Sequence, residues 1–162
     1  AAINGIAVGG GAEITLACDA RIGGESAEYF LPENGRGLTI SNASSFLLPR
    51  MLGSKSIGFV LDSKRLSSAE AVELGLLDRV VPDDQLLGVA TDLAAEWGKG
   101  GKSTTQHLRL LRPPKDLVEA AMQREVVEAR SAWEDGVTSA GVRAFLGRER
   151  PSGEATEPAG RA

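Results

Sequence analysis

Gly9-Gly10-Gly11-Ala12-Glu13, with Leu31-Pro32-Glu33 placing a second glutamate twenty positions after the first, decides how this chain folds and where its chemistry lies. The glycines follow an apolar run, Ala1 to Val8, that reads as a strand from Ala2, and they open a predicted helix over Gly10 to Ala17. Lacking Cβ atoms, they let the backbone come close to a ligand. The first amides of a helix have no intrahelical partners and carry partial positive charge, so that end suits an oxyanion. Glu13 lies one turn in, on a helix whose other members are nearly all apolar. Each part also has a plainer account. A glycine run is most often a turn, a first-turn Glu complements the helix dipole, and Pro32 suits the first position of a helix. The pattern is not a nucleotide fingerprint: Ile14 stands where G-x-G-x-x-G needs glycine, and no Gly-Lys-Ser/Thr follows.

Taken together, the motifs are specific. Ala2-Ile3-Asn4-Gly5, Gly9 to Glu13, Leu16-Ala17-Cys18-Asp19 and Leu31-Pro32-Glu33 resemble the core signature of the enoyl-CoA hydratase/isomerase family, the crotonase superfamily. Leu47-Leu48-Pro49-Arg50, Ser67-Ser68-Ala69-Glu70-Ala71 and Gly75 to Pro82 extend the resemblance to about position 97. It implies an α/β fold, a crotonase-like (ClpP/crotonase) spiral of ββα turns with a C-terminal helical trimerisation region. It also implies that the sequence lacks the family's N-terminal third, which carries the second oxyanion amide and much of the adenine pocket. On the same footing Gly10 N–H is one oxyanion donor, Glu13 and Glu33 are the two carboxylates that hold and activate water, and Gly9, Gly11, Leu31 and Ser41 lie at the substrate. The expected activity is hydration of a 2-enoyl-CoA thioester in fatty acid metabolism. No permanently bound cofactor is implied, coenzyme A entering as part of the substrate. The family's Pro-Gly-Ala-Gly-Gly-type loop is replaced by Ile40-Ser41-Asn42-Ala43-Ser44-Ser45. Ser41 stands for a glycine there, which narrows the pocket and adds a hydroxyl. That departure keeps two alternatives open: another crotonase-type acyl-CoA enzyme (isomerase, thioester or C–C hydrolase), or a truncated, non-catalytic oligomeric scaffold.

Composition sets the outer bounds. The 162 residues suffice for one domain with a real core. A net charge of −4 disfavours a nucleic-acid surface, and no apolar stretch approaches the length of a membrane span. The single cysteine, Cys18, has no partner for an internal disulfide. With no basic leader visible, a cytoplasmic location is expected. Without a His/Cys cluster no metal site is expected.

Along the chain, strands are predicted over Asp19 to Gly23, Ala27 to Leu31 and Leu77 to Val81, with a turn at Asn34 to Gly37. Helices are predicted from a Ser44 or Ser45 cap through Met51, over Ser54 to Leu61, and from a Ser67 cap to Gly75. Asp83 is expected to cap a helix burying Leu86, Leu87, Ala90, Leu93, Ala94 and Trp97. Residues 1–97 thus form the core and 98–146 a helical region in which Val118, Met122, Val126, Ala129 and Trp133 make one apolar stripe. By the resemblance, that stripe lies between subunits of a homotrimer or a dimer of trimers. Residues 147–162 lack apolar anchors and read as a disordered tail. His107 reads as structural, and Lys99, Lys102 and Arg109 as a solvated face.

Overall fold

The computed structural model describes residues 1–148. The predicted first strand is two. β1 (Ala2–Ile3) and β2 (Ile6–Val8) are separated at Asn4-Gly5 and join different sheets. After α1 (Gly10–Leu16) the pattern repeats, with β3 (Ile22–Gly24) parallel to β1 and β4 (Glu28–Phe30) parallel to β2. Each pass therefore lays one strand in each of two sheets before a helix, which is the ββα spiral. A single 3₁₀ turn (Asn34–Arg36) leads to α2 (Ser44–Leu52) and α3 (Lys55–Asp62). β5 (Leu66–Ser67) then pairs antiparallel with β4, α4 (Ser68–Leu74) follows, and β6 (Arg79–Val81) completes the β1-β3-β6 sheet.

The core lies between these sheets and helices. Leu31, Leu48, Leu76 and Ala71 are buried there, and Tyr29, also buried, packs on Phe59 with ring centroids 6.3 Å apart. Tyr29 Oη stands 2.6 Å from Thr15 Oγ1, and both hydroxyls meet the Ala12 carbonyl, so α1 is fastened to the sheet beneath it. Burial pushes the Tyr29 phenol up to about 12. Ser67 caps α4 with a complete capping box: its hydroxyl accepts from Glu70 N–H, and the Glu70 carboxylate accepts from Ser67 N–H.

Helices make up the rest of the described chain: α5 (Leu86–Gly98), α6 (Lys102–Leu111), α7 (Lys115–Glu134) and α8 (Val137–Arg148). Two expectations fail here. Asp83 does not cap α5. It lies in its own 3₁₀ turn, where Oδ1 accepts from Ser26 N–H and Oγ. Of the expected α5 face, Leu86 is buried, but Leu87 and Trp97 are exposed. On α7 the residues turned inward are Ala121 and Glu125, with Val118 packed beside them. Met122, Val126 and Trp133, one step round the helix, face outward. Gly141 brings α8 against the Arg36 carbonyl, where any Cβ would collide with backbone. Among the described residues no helix is long and apolar enough to cross a membrane. Residues 149–162, the greater part of the expected tail, lie outside the described residues.

Candidate active site

β2 delivers Gly9 to the start of α1, and β4 delivers Glu33 beside it, because the two strands are adjacent and parallel with Val8 opposite Phe30. Gly9 N–H donates to the Phe30 carbonyl. Gly9 has φ +52°, and a Cβ there would stand 2.7 Å from Glu33 Oε1. Its glycine character thus serves Glu33: the second carboxylate rests in the space a side chain would fill. Gly10 and Gly11 are exposed at the helix start, where Gly10 N–H has no intrahelical acceptor to use. Leu31, expected at the substrate, is instead packed in the core.

Glu13 is 1% exposed, and both its oxygens are engaged. Ser41 N–H donates to Oε1 at 2.5 Å, Ser41 Oγ to Oε2 at 2.7 Å, and Asn42 Nδ2 to Oε2 at 2.9 Å. Asn42 Nδ2 also sits 3.9 Å from where a Gly10 Cβ would be, so its amide stands over the start of α1. The loop that makes this clamp keeps a left-handed backbone without glycine: φ is +54° at Asn42 and +63° at Ala43. Asn tolerates that region, whereas Ala carries a steric cost there.

Glu33 is held differently. It is 8% exposed, and its Oε2 has no hydrogen-bond partner among the described residues. Burial raises its carboxyl from the ordinary value and nearby Glu13 adds to that, against a hydrogen bond from its own backbone amide and the weaker pull of Arg36. One acid is gripped by donors while the other is kept dry. Glu33 opens onto a cleft of about 570 Å³ whose walls include Leu38, Ile40, Val60, Ser45 and Arg124. An adjoining space of about 290 Å³ shares Ile40, Ser45 and Val60 and is bounded by Leu48 and Ile57.

Two residues at this site escaped the sequence reading. Asn42 had no signal beyond lying in the altered loop. Glu125 had one: a carboxylate three and four positions from Met122 and Ala121, on the inward side of α7. It is 6% exposed and accepts from Ala43 N–H and Ser45 N–H, each at 2.8 Å, at the start of α2. The expected serine cap is absent. Ala43 occupies the cap position, and the hydroxyls of Ser44 and Ser45 have no partner among the described residues. His107, on α6, is exposed and lines a surface hollow with Asp19, Trp97 and Leu111, none of them a residue of this site.

With the geometry in place, the likenesses are informative. The profile described as enoyl-CoA hydratase/isomerase matches residues 1–146. A Bacillus subtilis protein named probable enoyl-CoA hydratase is 32% identical over 155 residues, covering 93% of this chain and 60% of its own length. The glyoxysomal fatty acid beta-oxidation multifunctional protein MFP-a of Cucumis sativus is 41% identical over 97 residues, 59% of this chain and 13% of that one. Among solved structures, the enoyl-CoA hydratase/isomerase of Pseudoalteromonas atlantica T6c superposes with a TM-score of 0.84 at 31% identity, over 93% of this chain and 62% of that one. The chain thus spans at most 62% of the length of these relatives.

Proposed function

The chain belongs to the enoyl-CoA hydratase/isomerase family, and we propose on that footing that it carries the acid–base part of a site hydrating a 2-enoyl-CoA thioester. The reading rests on one observation: two buried glutamates beside the same glycine turn, held in contrasting environments. Hydration needs a base to take a proton from water as its oxygen bonds to the β-carbon. It needs an acid to protonate the α-carbon, and donors for the charge that builds on the thioester oxygen. Glu13, an acceptor on both oxygens, suits the base. Glu33, whose carboxyl burial shifts toward the protonated form, suits the acid, in the division of labour that separated environments permit. Gly10 N–H supplies one oxyanion donor, a contribution of about 3–4 kcal/mol where such donors have been removed. The acyl group then runs into the cleft past Ile40 and Val60, with CoA outside as part of the substrate and no resident cofactor.

Crotonyl-CoA hydration by the natural protein that carries this chain tests the reading. Turnover that Glu13→Gln and Glu33→Gln each abolish supports it, and no turnover across a panel of 2-enoyl thioesters of varied length sinks it. One observation favours a second crotonase-type reaction. The Ser41 hydroxyl already donates to Glu13 Oε2 and competes with water for that acceptor, so a Glu13 without its water would take a proton from the substrate carbon itself and shift the double bond instead. Assay of the same panel for double-bond migration and CoA release separates the two. The exposed Met122–Val126–Trp133 face of α7 supports assembly as a homotrimer or a dimer of trimers. Light scattering that finds a stable monomer at micromolar concentration would remove that proposal. The single cysteine, Cys18, fits a reducing cytoplasm as the protein's location, which cell fractionation would check.

A further inference from the structure

We propose that Glu125 is a positioning residue of this site: from α7 it fixes the 41–45 loop, so that Ser41 and Asn42 hold Glu13 in its working orientation. The inference rests on the acid–base reading of Glu13 given above, and it deepens that reading by making the C-terminal helices part of the catalytic apparatus.

A carboxylate is costly to bury unless its oxygens find donors. Glu125 finds two, and both are backbone amides of one loop: Oε2 takes Ala43 N–H and Oε1 takes Ser45 N–H. These amides begin α2, whose cap position holds Ala43 and therefore no capping side chain of its own. A residue eighty positions away in sequence does the capping. The loop needs such a hold. Asn42 and Ala43 are both left-handed, a conformation that non-glycine residues keep only when the surroundings impose it. The Ser44 N–H to Ser41 carbonyl bond closes the turn at 2.8 Å and transmits the hold one residue further. Ser41 then meets Glu13 through both backbone N–H and hydroxyl, and Asn42 through its amide. The path is continuous and made entirely of directional bonds: Glu125, the amides of Ala43 and Ser45, the Ser41–Asn42 clamp, Glu13. Glu125 also borders the cleft onto which Glu33 opens.

A simple capping role and a positioning role predict different results. If Glu125 only stabilises the fold, its loss lowers the unfolding temperature and leaves turnover per folded molecule intact. If it positions Glu13, Glu125→Ala lowers kcat for crotonyl-CoA hydration by about a hundredfold, the size of effect that a displacement of roughly 1 Å produces. KM stays within about twofold, because the thioester contacts are untouched. Glu125→Gln, which keeps one acceptor oxygen of two, lies between. Adding Ser41→Ala to Glu125→Ala costs much less than the product of the single effects, since both act on one clamp. Amide hydrogen exchange reads the same path without catalysis. Both Glu125 variants speed exchange at Ser41 as well as at Ala43 and Ser45, while the amides of α4 keep their rates. Unchanged kcat in folded Glu125→Gln and Glu125→Ala protein, fully multiplicative effects, or a Ser41 amide that ignores Glu125 would overturn the proposal. If the natural protein does not hydrate crotonyl-CoA, the hydratase reading fails by itself, and the exchange at Ser41 still decides whether Glu125 holds the clamp.

Discussion

Residues 1–81 and residues 86–148 are built on opposite plans. The first region buries its apolar residues in one another, whereas beyond residue 81 the buried hydrophobic residues among those described are Leu86 and Ala121 alone. The second region attaches through a few directional contacts instead. Glu125 grips the α2 start, Thr138 Oγ1 donates to the Gly37 carbonyl at 2.9 Å, and Arg112 forms a two-pronged pair with Asp19. Burial of many methyl groups resists the loss of any one, but a handful of bonds does not. The first region therefore holds nearly all of the buried apolar surface among the described residues, and the second reaches the site through Glu125.

The sharpest challenge to that division is chemical. Glu33→Gln should slow hydration by about a hundred- to ten-thousandfold with little change in KM, because the loss is a proton donor. Steady-state kinetics on the natural protein check it, and an unchanged kcat would move the acid out of the first region. Next in size is a pair of truncations. Leu48→Ala should cost about 2–5 kcal/mol in denaturant unfolding, as core cavities do. Trp133→Ala should stay within about 0.5 kcal/mol for the isolated chain. Equal costs would erase the contrast. Gly141→Ala should then cost about 1–3 kcal/mol by overpacking, since the new Cβ meets the Arg36 backbone. Limited proteolysis should locate the damage to residues 137–148, leaving the first region protected.

The smallest effect concerns pH and carries a definite sign. Glu33 has a raised carboxyl in the folded chain, so the folded state binds its proton more tightly than the unfolded state does. Its contribution to stability is complete below the unfolded value of about 4.3 and is lost as pH rises through the folded value. Glu33→Gln removes that loss. The variant should be the more stable protein at pH 7, and the difference should close as pH falls toward 4. A difference that widened on acidification would mean that Glu33 is ionised and paired when folded.

Much of the first region could be read in advance because its signals are local. A glycine run before an apolar helix, a Ser67–Glu70 capping box and Pro82 after a short strand each constrain the backbone within a few residues. The division of Ala2–Val8 between two sheets could not be read that way, since Asn4-Gly5 permits a bend without requiring one and the partner strands decide it. Gly9 was read as room for a ligand and proves to be room for Glu33, a distinction that depends on a strand twenty residues away. In α7 the apolar periodicity marks the outward face, while the face turned into this chain is a different one. Val118, Met122 and Val126 are the more obvious stripe, yet the inward face runs through Ala121 and a glutamate. A carboxylate there looks like solvent-facing charge until the loop it caps, eighty positions earlier, is in view.

The single tyrosine and the two tryptophans fall on either side of this boundary. Tyr29 lies beneath α1, its phenol ionising only near 12, while Trp97 and Trp133 are 47% and 63% exposed on α5 and α7. The molecule thus comes with two built-in optical probes that need no label. Tryptophan emission should report events at the helical end, such as docking of a neighbour or release of α7. Phenolate absorbance in alkali should stay silent until α1 lifts from its sheet. A titration followed at both wavelengths would reveal whether the two ends of the chain let go together or in turn.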